Sequence, residues 1–139
     1  MSDDNRGGFN EFALNALRIV AAFLFMHHGA QKLFGVLGGT QVEALFSQRG
    51  LAGVLEFGGG ILLMVGLLTR PVAFILSGQM AVAYFIAHFP REFWPIQNGG
   101  ELAALYSFLW LFFCFNGAGA FSLDAFIRSR REQQPITEG

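Results

Sequence analysis

Four long apolar runs divide the chain. The first covers residues 12–37. The others are LAGVLEFGGGILLMVGLL (51–68), PVAFILSGQMAVAYFIAHF (71–89) and ELAALYSFLWLFFCFNGAGAF (101–121). A helix that crosses a bilayer needs about 20 mainly apolar residues, within a range of roughly 17–25, and each run reaches that length. Helix punctuation falls at their limits. Thr69-Arg70-Pro71 reads as a stop and restart, with Thr69 as N-cap and Pro71 in the first turn, where its missing N–H does no harm. Asn98-Gly99-Gly100-Glu101 reads as a capping box. Asn116-Gly117-Ala118-Gly119 loosens the end of the fourth run, and Ser122 caps a short amphipathic helix, SLDAFIRSRR, expected to lie along a membrane surface. The stretch VEALFSQ is an amphipathic loop segment, and the tail at 132–139 is expected to be disordered. No internal repeat stands out. The predicted fold is all-α: a single domain over 1–139, built as a four-helix transmembrane bundle with a short surface helix.

Composition supports lipid as the solvent. The chain is 53% hydrophobic and 14% charged, with 17 Phe among 139 residues, whereas soluble domains carry roughly 25% charged residues. The formal net charge is −1 and no basic stripe alternates with aromatics, which argues against a nucleic-acid partner. A single cysteine, Cys114, excludes an intrachain disulfide and a C-x-x-C thiol exchange centre. The start, MSDDNRGGFNEF, lacks the basic n-region of a cleaved signal, so the first run is expected to be a retained span.

Lysine and arginine set the orientation. With the N-terminus inside, the cytoplasmic side holds Arg6, Arg70, Arg128, Arg130 and Arg131, and Arg18 is placed to snorkel toward it. Arg49 and Arg91 lie on the other side, with Lys32 near the boundary. Both termini are therefore expected in the cytoplasm of a multi-pass membrane protein, and four spans satisfy that parity.

At about 1.5 Å of rise per residue, this topology delivers His28, Gln31 and Lys32 on span one, Glu56 on span two, His88 on span three and Glu101 on span four to one outer half. The inner half reads as nearly all Leu, Ile, Val and Phe, so the expected polarity is one-sided. His28, Gln31 and Lys32 are spaced i, i+3, i+4 and share a helix face. Gly53, Gly59 and Gly60 flank Glu56 by a turn on either side. Small residues let a neighbouring helix approach closely in a membrane, which turns the carboxylate inward. An intramembrane carboxylate needs a partner, and Lys32 and the histidines lie at the right depth.

The blocks HHGAQKLFG and LEFGGGILLMVGLLTRP, followed by His88 and NGGE, resemble the DoxX family of small bacterial four-helix membrane proteins. The likeness runs from Leu14 to Asp124 and rests on His28, Gly29, Lys32, Leu33, Gly35, Glu56, Gly59, Gly60, Gly66 and Arg70. It implies a plasma-membrane protein with a redox association, since members are tied to quinol oxidase or thiosulfate:quinone systems and to oxidative-stress complexes. It brings no defined activity.

The residues leave several roles open. Glu56 and Lys32 form either a ligand site or an ion pair that only fixes helix register. His28 suits binding a quinone oxygen, relaying a proton or pairing with Glu56, histidine being the side chain that titrates nearest neutral pH. His27 points about 100° away and suits a structural contact. His88 closes a helix, where capping a carbonyl competes with a site role, and Glu101 is foremost a capping carboxylate. Gln79 is expected to bond across helices. Haem held by His28 and His88 is disfavoured because no second matched pair exists, and zinc would need four ligands brought together. The expected function is a redox-associated subunit with an outward-facing polar pocket lined by His28, Gln31, Lys32, Glu56, His88 and Glu101, taking a quinone head group or small polar ligand. The alternative is a non-catalytic accessory subunit of a larger membrane complex, or a homo-oligomer, in which the polar cluster locks the helices. Whether the chain is an enzyme is left open.

Overall fold

A computed structural model describes residues 3–133. Among them there are only helices: α1 (Asp3–Phe34), α2 (Gln48–Val65), α3 (Thr69–Ala83), α4 (Pro95–Asn98), α5 (Glu101–Asn116) and α6 (Leu123–Glu132). A π-helical turn, Tyr84–His88, prolongs α3. α1 packs most extensively on α2 and α3 on α5, with α2 also against α3. Two stretches, Gly7–Phe34 and Thr69–His88, are long and apolar enough to cross a membrane, and Glu101–Asn116 is apolar but shorter. The tail expected to be disordered begins instead as the last turn of α6, and from residue 134 it lies outside the described residues.

Local chemistry sets the helix limits, with several departures from the predicted caps. VEALFSQ forms a turn whose Ser47 caps α2, the hydroxyl accepting from the Gly50 amide at 3.1 Å. The end of α2 is a Schellman motif: Gly66 takes φ 69° and the Leu67 amide donates to the Leu62 carbonyl at 2.9 Å. Thr69 is not an N-cap. It is the first helical residue of α3, and the cap comes from Asp124 at the start of α6, whose two carboxylate oxygens accept from the Leu68 and Thr69 amides at 2.8 and 2.9 Å. The capping box at 98–101 is also replaced. Asn98 ends α4, its side-chain oxygen accepts from the Gly100 amide at 2.7 Å, and Gly100 is the N-cap of α5. Ser122 does cap α6, accepting from the Ala125 amide at 3.2 Å.

The core lies mid-bundle and is aromatic. Phe25 of α1 meets Tyr106 and Trp110 of α5, with ring centroids 4.9 and 5.3 Å away, and Leu63, Leu76 and Phe113 close around them. The Phe-rich stretch of α5 divides between two faces: Trp110 and Phe113 are buried, while Phe108, Phe112 and Phe115 face outward.

Beyond this plug, at the end holding the termini, polarity returns. Arg18 does not snorkel. It is 0% exposed, and its guanidinium donates to the carbonyls of Leu63, Met64, Ala118 and Phe121 at 2.6–2.8 Å and to Asn15 Oδ1 at 3.2 Å. Asn15 and Glu11, on the same face of α1, accept from the Phe121 and Ala120 amides. One polar stripe of α1 thus binds the end of α2 to the α5–α6 loop, and the expectation of one-sided polarity is corrected. A buried guanidinium is tolerable because its donors are met by carbonyls at the end of α2 and in a loop.

Candidate functional site

Glycines bring the site together. A Cβ on Gly29 of α1 would lie 2.8 Å from the Gly53 carbonyl oxygen, and one on Gly60 would lie 3.0 Å from Met26 Cβ, so backbone meets backbone where α1 crosses α2. Gly59 presents the same close surface to α3, with Leu76 Cδ1 at 2.9 Å from its would-be Cβ. Glu56 is held between those two contacts, 1% exposed. The Lys32 ammonium donates to its two oxygens at 2.5 and 2.6 Å, and the Gln79 amide donates to Oε1 at 3.0 Å. The carboxylate is sealed beneath the lysine, whose own side chain is 26% exposed. Three donors on one buried carboxylate compensate its lost hydration, as a buried charge requires.

Above this pair opens a cavity of about 370 Å³ between α1, α2, the end of α3 and α5. Phe25, His28, Lys32, Glu56, His88 and Tyr106 contribute to its lining. His28 is exposed and makes no hydrogen bond to any described residue. His88 closes the π-helical turn, where the Phe89 amide reaches back five residues to the Tyr84 carbonyl at 2.9 Å. Its Nδ1 lies 3.1 Å from the Asn98 carbonyl oxygen. A carbonyl only accepts, so Nδ1 carries the proton and, in the neutral ring, Nε2 keeps the lone pair. Asn98 is itself fixed, donating to the Glu92 carbonyl at 2.9 Å. Tyr106 is 7% exposed and its hydroxyl has no hydrogen-bond partner among the described residues.

Four of the six residues singled out in the sequence therefore converge: His28, Lys32, Glu56 and His88. Gln31 does not join them. Its amide donates to the Leu37 carbonyl at 2.9 Å and braces the loop after α1. Glu101 sits exposed in the first turn of α5, against a separate shallow depression with Pro95 and Leu102. His27 packs edge-on against Phe23, ring centroids 4.4 Å apart. Among the described residues no group of three or more His, Cys, Asp or Glu side chains is placed to hold a metal ion. Sequence reasoning missed Tyr106, which reads simply as a buried aromatic in an apolar helix. It foresaw a cross-helix bond from Gln79 but not Glu56 as the acceptor.

The DoxX family model matches residues 13–89, more than half of the chain. The chain belongs to the DoxX family. A relative, an uncharacterized protein of Haemophilus influenzae, is 45% identical over 128 residues, covering 87% of this chain and 95% of its own. Another, inner membrane protein YqjF of Escherichia coli, is 29% identical over 119 residues, covering 81% and 90%. No solved structure matches. The DoxX match spans α1 through the π-helical turn, and so includes His28, Lys32, Glu56, Gln79 and His88. Tyr106 and Glu101 of α5 lie beyond it. As a DoxX-family membrane protein, the chain meets lipid over its outward-facing Phe, Leu and Val side chains.

Proposed function

We propose that this protein lies in the inner membrane as a four-pass bundle with both termini in the cytoplasm, and that its cavity binds a quinone head group or similarly small polar ring on the outer side. Arginines at the termini end (Arg70, Arg128, Arg130 and Arg131) support the orientation. In this reading α2 and α5 also cross. With 18 and 16 residues they are about 27 and 24 Å long, near the hydrocarbon thickness.

One observation carries the ligand reading. A cavity of about 370 Å³ with mainly apolar walls gathers polar groups that the protein itself leaves unengaged: the His28 ring and the Tyr106 hydroxyl. Binding pockets have this make-up, a few oriented polar groups in an apolar cleft of 300–1,000 Å³. The Lys32 ammonium has three N–H donors and directs two to Glu56, which keeps the third for a ligand carbonyl. Tyr106 and His28 serve the opposite carbonyl, and Phe25 and Met80 face the ring. Reducing a quinone takes two electrons and two protons. A partner redox subunit would supply the electrons, and the histidines and Glu56 are the groups placed to exchange protons.

A second reading has its own support. The direct Lys32–Glu56 pair, with Gln79 added, ties α1, α2 and α3 together and would serve an accessory subunit as a helix lock. Trp110 stacks on Tyr106 at 5.5 Å and so reports on the cavity. In a Trp94→Phe background, a short-chain benzoquinone should quench Trp110 saturably, and His28→Ala or Tyr106→Phe should weaken binding about tenfold. Neither substitution touches the lock. Identical non-saturable quenching in all three proteins would leave the lock as the function of the cluster.

A further inference from the structure

A second cavity, of about 410 Å³, lies at the termini end, where α6 folds back on the start of α3. Its charged lining is Arg70 of α3, Arg128 and Arg131 of α6, and Asp124. Asp124 is already engaged with the Leu68 and Thr69 amides. It cancels one of the three positive charges, and the α3 amides it caps are not free for another anion. Arg128 and Arg131 are one turn apart and share a face of α6. Among the described residues none of the three arginines makes a hydrogen bond or ion pair. Arg130, by contrast, lies over the Phe126 ring at 5.1 Å and is absent from the cavity. The remaining wall is apolar: Leu67, Leu68, Pro71 and Ile127.

Three guanidiniums facing a concave space, none of them paired with the one carboxylate in its lining, form an acceptor for a phosphate group, which they match in charge and bidentate geometry. The apolar wall beside them suits an acyl chain. We propose that this cavity binds the phosphate of an anionic phospholipid, with the head group between Arg70, Arg128 and Arg131 and a chain along Leu68 and Pro71. Basic pockets at a membrane surface select lipids in this way. The site is remote from the His28–Glu56 cavity and stands without it.

The test is native mass spectrometry of the full chain in mild detergent, titrated separately with phosphatidylglycerol and phosphatidylcholine. The wild type should retain one phosphatidylglycerol in preference to phosphatidylcholine. Arg70→Gln and Arg128→Gln should each weaken it about fivefold, while Arg130→Gln leaves it unchanged. All three substituted side chains are exposed, so the variants fold, and circular dichroism verifies that. Equal retention of the two lipids, or full retention of phosphatidylglycerol by the Arg70→Gln/Arg128→Gln double variant, would overturn the proposal. Inorganic phosphate provides the last arm. If it raises the melting temperature of the wild type but not of Arg70→Gln, and phosphatidylglycerol is not preferred, the pocket serves a soluble phosphate and the lipid assignment falls.

Discussion

Among the described residues, Glu56 and Arg18 are the two buried charges that organise this bundle, and they are satisfied in opposite ways. Glu56 has side-chain partners, Lys32 and Gln79. Arg18 has mainly carbonyls. That difference explains which of them could be read from the sequence. The lysine and carboxylate are placed at one depth by helix rise alone, and the glycines around Glu56 point it inward. The carbonyl acceptors of Arg18 come from two segments far from it in the chain, residues 63–64 and 118–121, and leave no mark in a side-chain pattern. The only signal was the stripe Glu11, Asn15, Arg18 on one face of α1. Because Glu56 is 1% exposed, Lys32→Met strands a buried carboxylate and should cost about 3–5 kcal/mol. Lys32→Met combined with Glu56→Gln should recover most of that loss, both read from unfolding in detergent.

At the scale of elements, the helix crossings were more legible than the helix ends. Gly53, Gly59 and Gly60 mark the faces of α2 that meet α1 and α3, and the structure uses them in that way. The cap at residue 69 was misplaced because Asp124 reaches that end through tertiary contact, which local spacing does not encode, and the cap at 98 because Asn98 itself ends the short α4 and turns its side-chain oxygen onto the Gly100 amide. The π-helical turn that carries His88 has no such local signal either. Two glycine substitutions separate crossing from propensity. Gly29→Ala puts a methyl against the α2 backbone and should destabilise by about 1–3 kcal/mol. Gly58, in the same crossing region but with nothing within 4 Å of its would-be Cβ, should gain about 0.5–1 kcal/mol on replacement by Ala. Thermal unfolding of the two variants checks the pair.

Across the whole molecule, an aromatic plug of Phe25, Tyr106, Trp110 and Phe113 separates two polar ends. Each end has a cavity, and each holds positive charge, but the arginine clasp fixes loops while the Lys32–Glu56 pair floors an open space. The plug argues against a continuous polar path between them. The account stands on that open space being a ligand site. The most direct measurement is native mass spectrometry of the protein as extracted from its own membrane, comparing wild type with Tyr106→Phe and His28→Ala. The account predicts one non-covalent adduct of quinone mass on the wild type, reduced in both variants while their fold is retained. A folded wild type that carries no such adduct and gains none when a short-chain quinone is added would contradict it.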